Sequence, residues 1–405
     1  MSTNDGLDME LSCASPDQAI SWQEPPSNKV PQPLWWESMA WAARIHSKGR
    51  IDRAGRALLE LSPDDPSRDE EIAVVDNWRS CHAYPLQIIK MNLLSRAKKI
   101  DPDAVVAQRL KRRPSIEIKL RDNPNMKLSQ MQDIGGCRAV LTTIGQVARL
   151  VSKYKESHAK SSKGRSSWDG SDDFDYIAHP KPDGYRSIHL IFRYQSLSPE
   201  RAIYNGQRIE IQVRSKLQHL WATAVETAQL FTGQALKSKV KNASEDWLRF
   251  FALTSSAFAS REKMATVPGT PDDAEEIIRE LHQIMARTPI MQSLSDWNDT
   301  VHLLEIEDPQ PGEQFYLLVL DAEGRTLSVE PFSKEEAVKA QRAYDKAEKE
   351  TEGNPNKQTV LVSVEDVNAL RKAYPNYYVD TQGFITAVQR ETGALKLIKR
   401  RRKRI

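Results

Sequence analysis

The sequence predicts an α+β fold, in which a mixed-sheet core is flanked by helices and followed by a second, smaller α/β region. Three observations carry this prediction. Between about 104 and 232, short runs of β-strand composition (CRAVLTT, SIHLIFRY, RIEIQVR) alternate with amphipathic helical stretches such as GQVARLVSKYKES. On both sides of that core the apolar spacing is helical, upstream at Leu86, Ile89 and Leu93 and downstream through the Ala- and Leu-rich stretch 215–265. Strand text then returns near the C-terminus, in QFYLLVLDAEGRTLSVEPF and TVLVSV.

Taken in chain order, residues 1–33 are rich in Ser, Asp, Pro and Asn and predict a disordered arm. Residues 34–97, opening on Trp35, Trp36 and Trp41, predict a helical collar that packs against the core. The core follows over 98–232, and SSKGRSSWDGSDDF within it reads as a polar surface loop. A helical connector is expected over 233–300 and a C-terminal domain over 301–392. That domain holds a hairpin turning at Glu323 and Gly324, a helix introduced by the Ser333/Glu336 capping pair, a strand, the stretch YPNYYVD and a last helix near 382–390. The chain closes on a basic tail, 393–405.

Composition narrows the function classes. With 58 basic and 55 acidic residues the net charge is only +3, so the total says little about partners. Cys13, Cys81 and Cys137 are too scattered for a metal cluster or a disulfide framework, which fits a reducing compartment. No apolar run reaches the ~18 residues that cross a bilayer, and the N-terminus is acidic, so a soluble cytoplasmic protein without membrane attachment is expected.

Four clusters in the core bear chemistry. In RLKRRPSIEIK, read as one helical stretch, Arg109, Lys111, Ser115 and Lys119 could clamp a polyphosphate through charge-assisted hydrogen bonds, or form a solvated basic face. In MQDIGGCRAVL, Asp133 stands before two glycines with Arg138 after them. Its carboxylate could hold Mg²⁺ together with substrate phosphates, or simply end a turn. HPKPDGYRSIHL delivers Tyr185, Arg186 and His189 from a turn into a strand. Tyr185 could stack on a purine with Lys181 and Arg186 on flanking phosphates, or face the core. In RIEIQVR, Glu210, Gln212 and Arg214 alternate with Ile209, Ile211 and Val213. Glu210 could act as a general base or complete the metal site, or pair across the sheet with a cation.

In this order the clusters resemble the synthetase domain of the RelA/SpoT family, the alarmone synthetases, over about residues 100–230. The resemblance implies a nucleotidyltransferase-like core that transfers the β,γ-pyrophosphate of ATP to a ribose hydroxyl. Asp133 would lie on Mg²⁺ and Glu210 would be base or second metal contact. Arg109, Lys111, Ser115, Lys119 and Arg138 would surround ATP, while Tyr185, with Lys181, Arg186, His189, Gln212 and Arg214, would receive the acceptor. No His is followed by Asp, so the hydrolase of bifunctional family members is not expected.

The flanks resemble the CapRel-type fused toxin-antitoxin members, on HAYPL, QHLWATAVETAQ and the C-terminal strands with Tyr374 and Tyr377. That likeness implies a neutralising domain related to a zinc ribbon but lacking its cysteines, with Tyr374 or Tyr377 covering the ATP site. It also implies the 3′ end of tRNA as acceptor, a translation block in phage defence, and a phage capsid protein as activator. Truncation before about residue 270 would then release toxicity. A housekeeping synthetase acting on GDP or GTP is the second reading, and a catalytically dead RNA- or ribosome-binding scaffold the third. The extra domain favours a monomer over the oligomers common among short synthetases.

Overall fold

A computed structural model describes residues 41–62, 64–160, 167–168, 174–232, 245–298, 302–304, 314–333, 335–351, 354, 357–364, 370, 372–374, 378 and 381–402. The arm 1–33, Trp35, Trp36, Tyr377 and most of the polar loop lie outside them.

The collar consists of α1 (Lys48–Glu60), α2 (Arg68–Ser80) and α3 (Ala83–Ile100). Ser47 caps α1, its hydroxyl accepting the Arg50 N–H at 3.2 Å. Asp69, Glu70 and Glu71 in the first turn of α2 favour that end electrostatically. The core then runs β1 (Val105–Leu110), α4 (Arg113–Asp122), β2 (Gly135–Leu141), α5 (Ile144–Lys160), β3 (Ser167–Trp168), β4 (Ile188–Arg193) and β5 (Arg208–Ser215).

The basic stretch 109–119 is not one helix. Arg109 and Leu110 pair with Gly136 and Gly135 of β2, so β1 ends only at Leu110, and α4 begins after a two-residue turn. Pro114 fits there because the first helical turn needs no N–H from it. Sheet pairing thus overrides the helical preference of the Arg and Lys residues.

Helices α6 (Lys216–Thr232), α7 (Glu245–Glu262), α8 (Ala274–Arg287) and α9 (Ile290–Asn298) follow, then β6 (His302–Leu304), β7 (Gln314–Asp321), β8 (Thr326–Phe332), α10 (Ala337–Glu350), β9 (Lys357–Val364) and α11 (Gln382–Arg402). The Glu323/Gly324 hairpin forms between β7 and β8. Glu336 reaches back to the Ser333 N–H at 3.1 Å, although the helix itself starts at Ala337. The last helix, expected near 382–390, extends to Arg402.

The nine strands among the described residues form one mixed sheet in the order β3-β4-β5-β2-β1-β9-β7-β8-β6. Strands β2 and β5 are parallel, as are β6 and β8. The C-terminal strands join the core edge-on, Gln108 pairing with Ser363 and Arg109 with Val362. This join covers what would otherwise be an open edge of β1.

Side-chain alternation divides the sheet into two faces. Val106, Cys137, Ala139, Ile209, Ile211 and Val213 pack in one cluster with Leu86, Ile89 and Leu93 of α3 and Val147 and Leu150 of α5. The opposite face therefore carries Arg109, Arg138, Glu210, Gln212 and Arg214. Beside it Val360, Val362 and Val364 of β9 pack with Tyr316, Leu370, Ala373 and Tyr374. Phe384, Ile385 and Val388 of α11 join a helical core built with α6 to α9. Among the described residues, no helix is long and apolar enough to cross a membrane.

Candidate active site

The polar face is centred on two carboxylates. Asp133 immediately precedes β2, where Lys111 donates to its Oδ2 at 2.9 Å and Lys119 to its Oδ1 at 2.8 Å. Burial alone would raise the Asp133 pKa, but the two ammonium groups overcome it and hold the carboxyl down at about 2. Lys111 is pushed below the usual lysine range by its own burial, with Lys119 and Arg109 adding to the effect and Asp133 opposing it. Ser115 and Lys119, four residues apart on α4, share a helix face.

Glu210 is opposite Gly136 in the parallel β2/β5 pair, three residues along from Asp133. Its Oε1 meets Nδ1 of His189 at 2.9 Å, and its Oε2 accepts from Nε2 of Gln212 at 2.7 Å. Burial raises the Glu210 pKa, as does the charge of Asp133, but His189 prevails and the carboxyl remains ionised. The two carboxylates thus feel one another across adjacent strands.

A relay runs on from Glu210. Burial would discharge His189, yet Tyr185 and Glu210 raise its pKa to about 9, so it is a cation at neutral pH. Its Nε2 lies 2.8 Å from the Tyr185 hydroxyl, which also accepts from Nη2 of Arg214 at 2.7 Å. That Arg214 nitrogen also donates to Oε1 of Gln212 at 2.8 Å. Burial opposes ionisation of the phenol, but Arg214 and His189 bring the Tyr185 pKa down to about 8. Lys181 stands over Tyr176 and Tyr185, 4.4 and 5.3 Å from their ring centroids.

Gly184 makes this turn possible. Its φ is +97°, and a Cβ there would come within 2.7 Å of the Trp221 ring. Arg186 alone leads away from the cluster, donating to Glu262 of α7 at 3.5 Å; Ser215 and Gln218 bind the same carboxylate.

Arg138 lies between the site and the C-terminal segment. Its guanidinium carbon is 5.4 Å from the Tyr374 ring centroid, and its Nη1 donates to the Ala373 carbonyl at 3.4 Å. The Tyr374 hydroxyl donates to the Gln108 carbonyl at 3.0 Å, and the side chain is 2% exposed. His219 of α6 completes the contact, with Nε2 donating to the Lys372 carbonyl at 3.0 Å and Nδ1 facing Nη1 of Arg138 at 3.4 Å. Burial, with Arg138 and Arg214 nearby, holds the His219 pKa down at about 3, so the ring is neutral and Nδ1 accepts. The charge of Arg109 bears on both Lys111 and Arg138, lowering the pKa of each.

The geometry therefore unites Arg109, Lys111, Lys119, Asp133 and Arg138 with Tyr185, His189, Glu210, Gln212 and Arg214. Sequence reasoning missed His219, Arg79 of α2 and Tyr176. His219 and Arg79 each stand among other polar residues of an ordinary amphipathic helix, and no local spacing signals a contact with a distant segment. Two carboxylates with oxygen-only donors suit Mg²⁺, which takes one or two carboxylates and completes its shell with phosphate oxygens and water. No group of three or more potential metal ligands occurs among the described residues.

Comparison with known proteins finds similarity over this core. Residues 108–232 match the model of a region found in RelA/SpoT proteins. The chain is 28% identical over 154 residues to GTP pyrophosphokinase YjbM of Bacillus subtilis (strain 168), covering 38% of this chain and 64% of that relative. The matched region thus coincides with the α/β core and its four polar clusters. Among solved structures, small alarmone synthetase 2 of Bacillus subtilis is similar at 18% identity and a TM-score of 0.37, over 46% of this chain and 93% of its own. Small alarmone synthetase 1 bound to its product pppGpp is similar at 22% and 0.38, over 46% and 92%.

Proposed function

We propose that this protein is an autoinhibited, ATP-dependent pyrophosphotransferase. The observation that carries the reading is the meeting of the Lys111–Asp133–Lys119 bridge with the Glu210–His189 pair on one sheet face, in a region that matches the RelA/SpoT model.

In the reaction, a ribose hydroxyl oxygen of the acceptor bonds to the β-phosphorus of ATP, the bond from that phosphorus to the α,β-bridging oxygen breaks, and AMP leaves. Lys111, Lys119, Arg109 and Arg138 neutralise the polyphosphate. The buried Nε of Arg138, which has no hydrogen-bond partner among the described residues, is a donor suited to a phosphate oxygen. Asp133, with Glu210, would hold Mg²⁺, which when bound would supply positive charge to the phosphoryl oxygens. Glu210 would take the hydroxyl proton where it is not itself the second metal contact. Its low pKa makes it a weak acceptor, which suits a loose transition state with little bonding to the nucleophile. Tyr185 and Lys181 form the platform for the acceptor.

Tyr374 accounts for the autoinhibition. Its ring and the neighbouring Ala373 carbonyl occupy the Arg138 guanidinium, so ATP binding requires the segment to leave. An activator would act by binding the open state better than the closed one. The likeness of the flanks to CapRel-type fusions, whose neutralising domain resembles a zinc ribbon without cysteines, supports the 3′ end of tRNA as acceptor, a role in phage defence and a phage capsid protein as activator. The name of the Bacillus relative supports the second reading, with GDP or GTP as acceptor.

The acceptor assay tests both. The full-length protein carrying Tyr374→Ala, which frees Arg138, is incubated with γ-labelled ATP and Mg²⁺ together with either bulk tRNA or GDP/GTP. Label on tRNA is expected; label only on the guanine nucleotide selects the second reading, and label on neither removes both.

A further inference from the structure

Resting on that reading, we propose that Glu348, in the C-terminal region, is a positioning residue for the ATP site. Through Arg79 it holds the turn that carries Lys111, so the region that covers the site also helps to build it.

Arg79 in α2 is 2% exposed, and Glu348 in α10 is 4% exposed. Nη1 of Arg79 donates to Oε2 of Glu348 at 2.9 Å and to Oδ1 of Asp76 at 2.7 Å, and its Nη2 donates to the Tyr344 hydroxyl at 2.7 Å. The Tyr344 hydroxyl in turn donates to Oε1 of Glu348 at 2.6 Å. The remaining edge of the guanidinium faces the site: its Nε donates to the Lys111 carbonyl at 2.9 Å. Glu348 touches the same turn from the other side, Oε1 accepting the Arg113 N–H at 3.0 Å at the start of α4.

Lys111 lies between these two anchors and is the residue whose ammonium grips Asp133. A planar guanidinium fixed on three sides holds that carbonyl at one distance and angle. Without Glu348, the buried Arg79 would keep its charge and lose its principal counter-ion. It would then turn toward Asp76 and release the Lys111 carbonyl. The covering contact is elsewhere, at Tyr374, between β9 and α11. That contact involves neither Arg79 nor Glu348, so its loss leaves the anchor on the Lys111 turn in place. A chain cut before the C-terminal region loses Glu348 together with Tyr374, so a point substitution opens the site where truncation damages it.

The test uses the full-length chain with Tyr374→Ala and measures binding of the ATP analogue AMPCPP with Mg²⁺. Glu348→Gln, which keeps shape but removes the charge, and Tyr344→Phe, which removes only one hydroxyl, are each added. Arg249→Ala serves as control, because it breaks the bidentate Arg249–Glu280 pair between α7 and α8, far from Lys111. The expected result is AMPCPP affinity lowered about tenfold by Glu348→Gln and about threefold by Tyr344→Phe at a temperature where every variant is fully folded, while the affinity of the control is unchanged. If both additions bind AMPCPP as tightly as Tyr374→Ala alone, or if the control loses affinity equally, the positioning role is overturned. Failure of Tyr374→Ala itself to bind AMPCPP would instead overturn the underlying functional reading. If Glu348→Gln does not fold, Tyr344→Phe decides.

Discussion

The guanidinium of Arg138 lies 5.4 Å from the ring centroid of Tyr374, with its Nη1 on the carbonyl of the preceding residue, Ala373. Arg138 comes from the strand that follows the candidate metal carboxylate, and Tyr374 comes from the segment after β9. One contact thus joins the candidate site to the segment proposed to cover it. A cation over an aromatic ring is worth about 1–2 kcal/mol where water is excluded, enough to bias the segment toward the closed position without making it permanent.

Substitution of Tyr374 by Ala should therefore separate stability from ligand access. Loss of a buried aromatic ring costs about 3 kcal/mol, which would appear as an earlier denaturation midpoint. In the same protein AMPCPP affinity should rise at least about tenfold, the equivalent of the lost contact with Arg138. Tyr374→Phe, which keeps the ring and loses only the bond to the Gln108 carbonyl, should fall between. Calorimetric titration of the three proteins checks the order.

Gly184→Ala should be disruptive although the change is a single methyl group. A left-handed backbone costs a non-glycine residue about 1–2 kcal/mol, and the new Cβ would also press on Trp221. A loss of about 2 kcal/mol or more in urea unfolding is expected. Gly206→Ala is a useful comparison, since φ there is also positive but nothing lies within 4 Å of the added carbon. The difference between the two isolates the contact with Trp221.

Acid should weaken the fold through His219 and His82. An unfolded imidazole takes up a proton below about pH 6.5. Burial holds folded His219 neutral down to about pH 3, and His82 down to about 4. The unfolded state thus binds more protons in that window, and stability falls as pH drops from about 6.5. By pH 5 each group contributes a loss of up to about 2 kcal/mol. His189 has the opposite sign, because its raised pKa adds stability that is complete below about pH 6.5 and fades as pH rises through about 9. Urea midpoints at pH 7 and pH 5, for the parent and for His219→Gln, should show a smaller acid loss in the variant.

Much of the site was legible in the sequence because strand alternation is a local rule. Glu210, Gln212 and Arg214 share a face for the same reason that Ile209, Ile211 and Val213 share the other, and the hydrogen bonds among the first three follow. What was not legible depends on pairing between distant segments. The match of Arg109 with Val362 turns a basic stretch into a strand and fuses two regions into one sheet, and no window around either residue contains that information. His219 and Arg79 stand in helical text that reads as packing alone, yet each anchors a segment far away in sequence. Arg186 shows the converse, since its place beside Tyr185 in the sequence suggests a shared role, while in the stretch before β4 Tyr185 meets His189 and Arg186 meets Glu262.

The account stands or falls on whether Asp133 and Glu210 act together on ATP. The decisive measurement is transfer of label from γ-labelled ATP to acceptor, with equal release of AMP, by the Tyr374→Ala protein and by that protein carrying Asp133→Asn or Glu210→Gln. The account predicts measurable transfer in the first and a fall of about a thousandfold in each of the others, with folding retained. Transfer that survives either substitution within about tenfold would contradict it, since that residual barrier change of about 1.4 kcal/mol is too small for the loss of a metal ligand or a catalytic base.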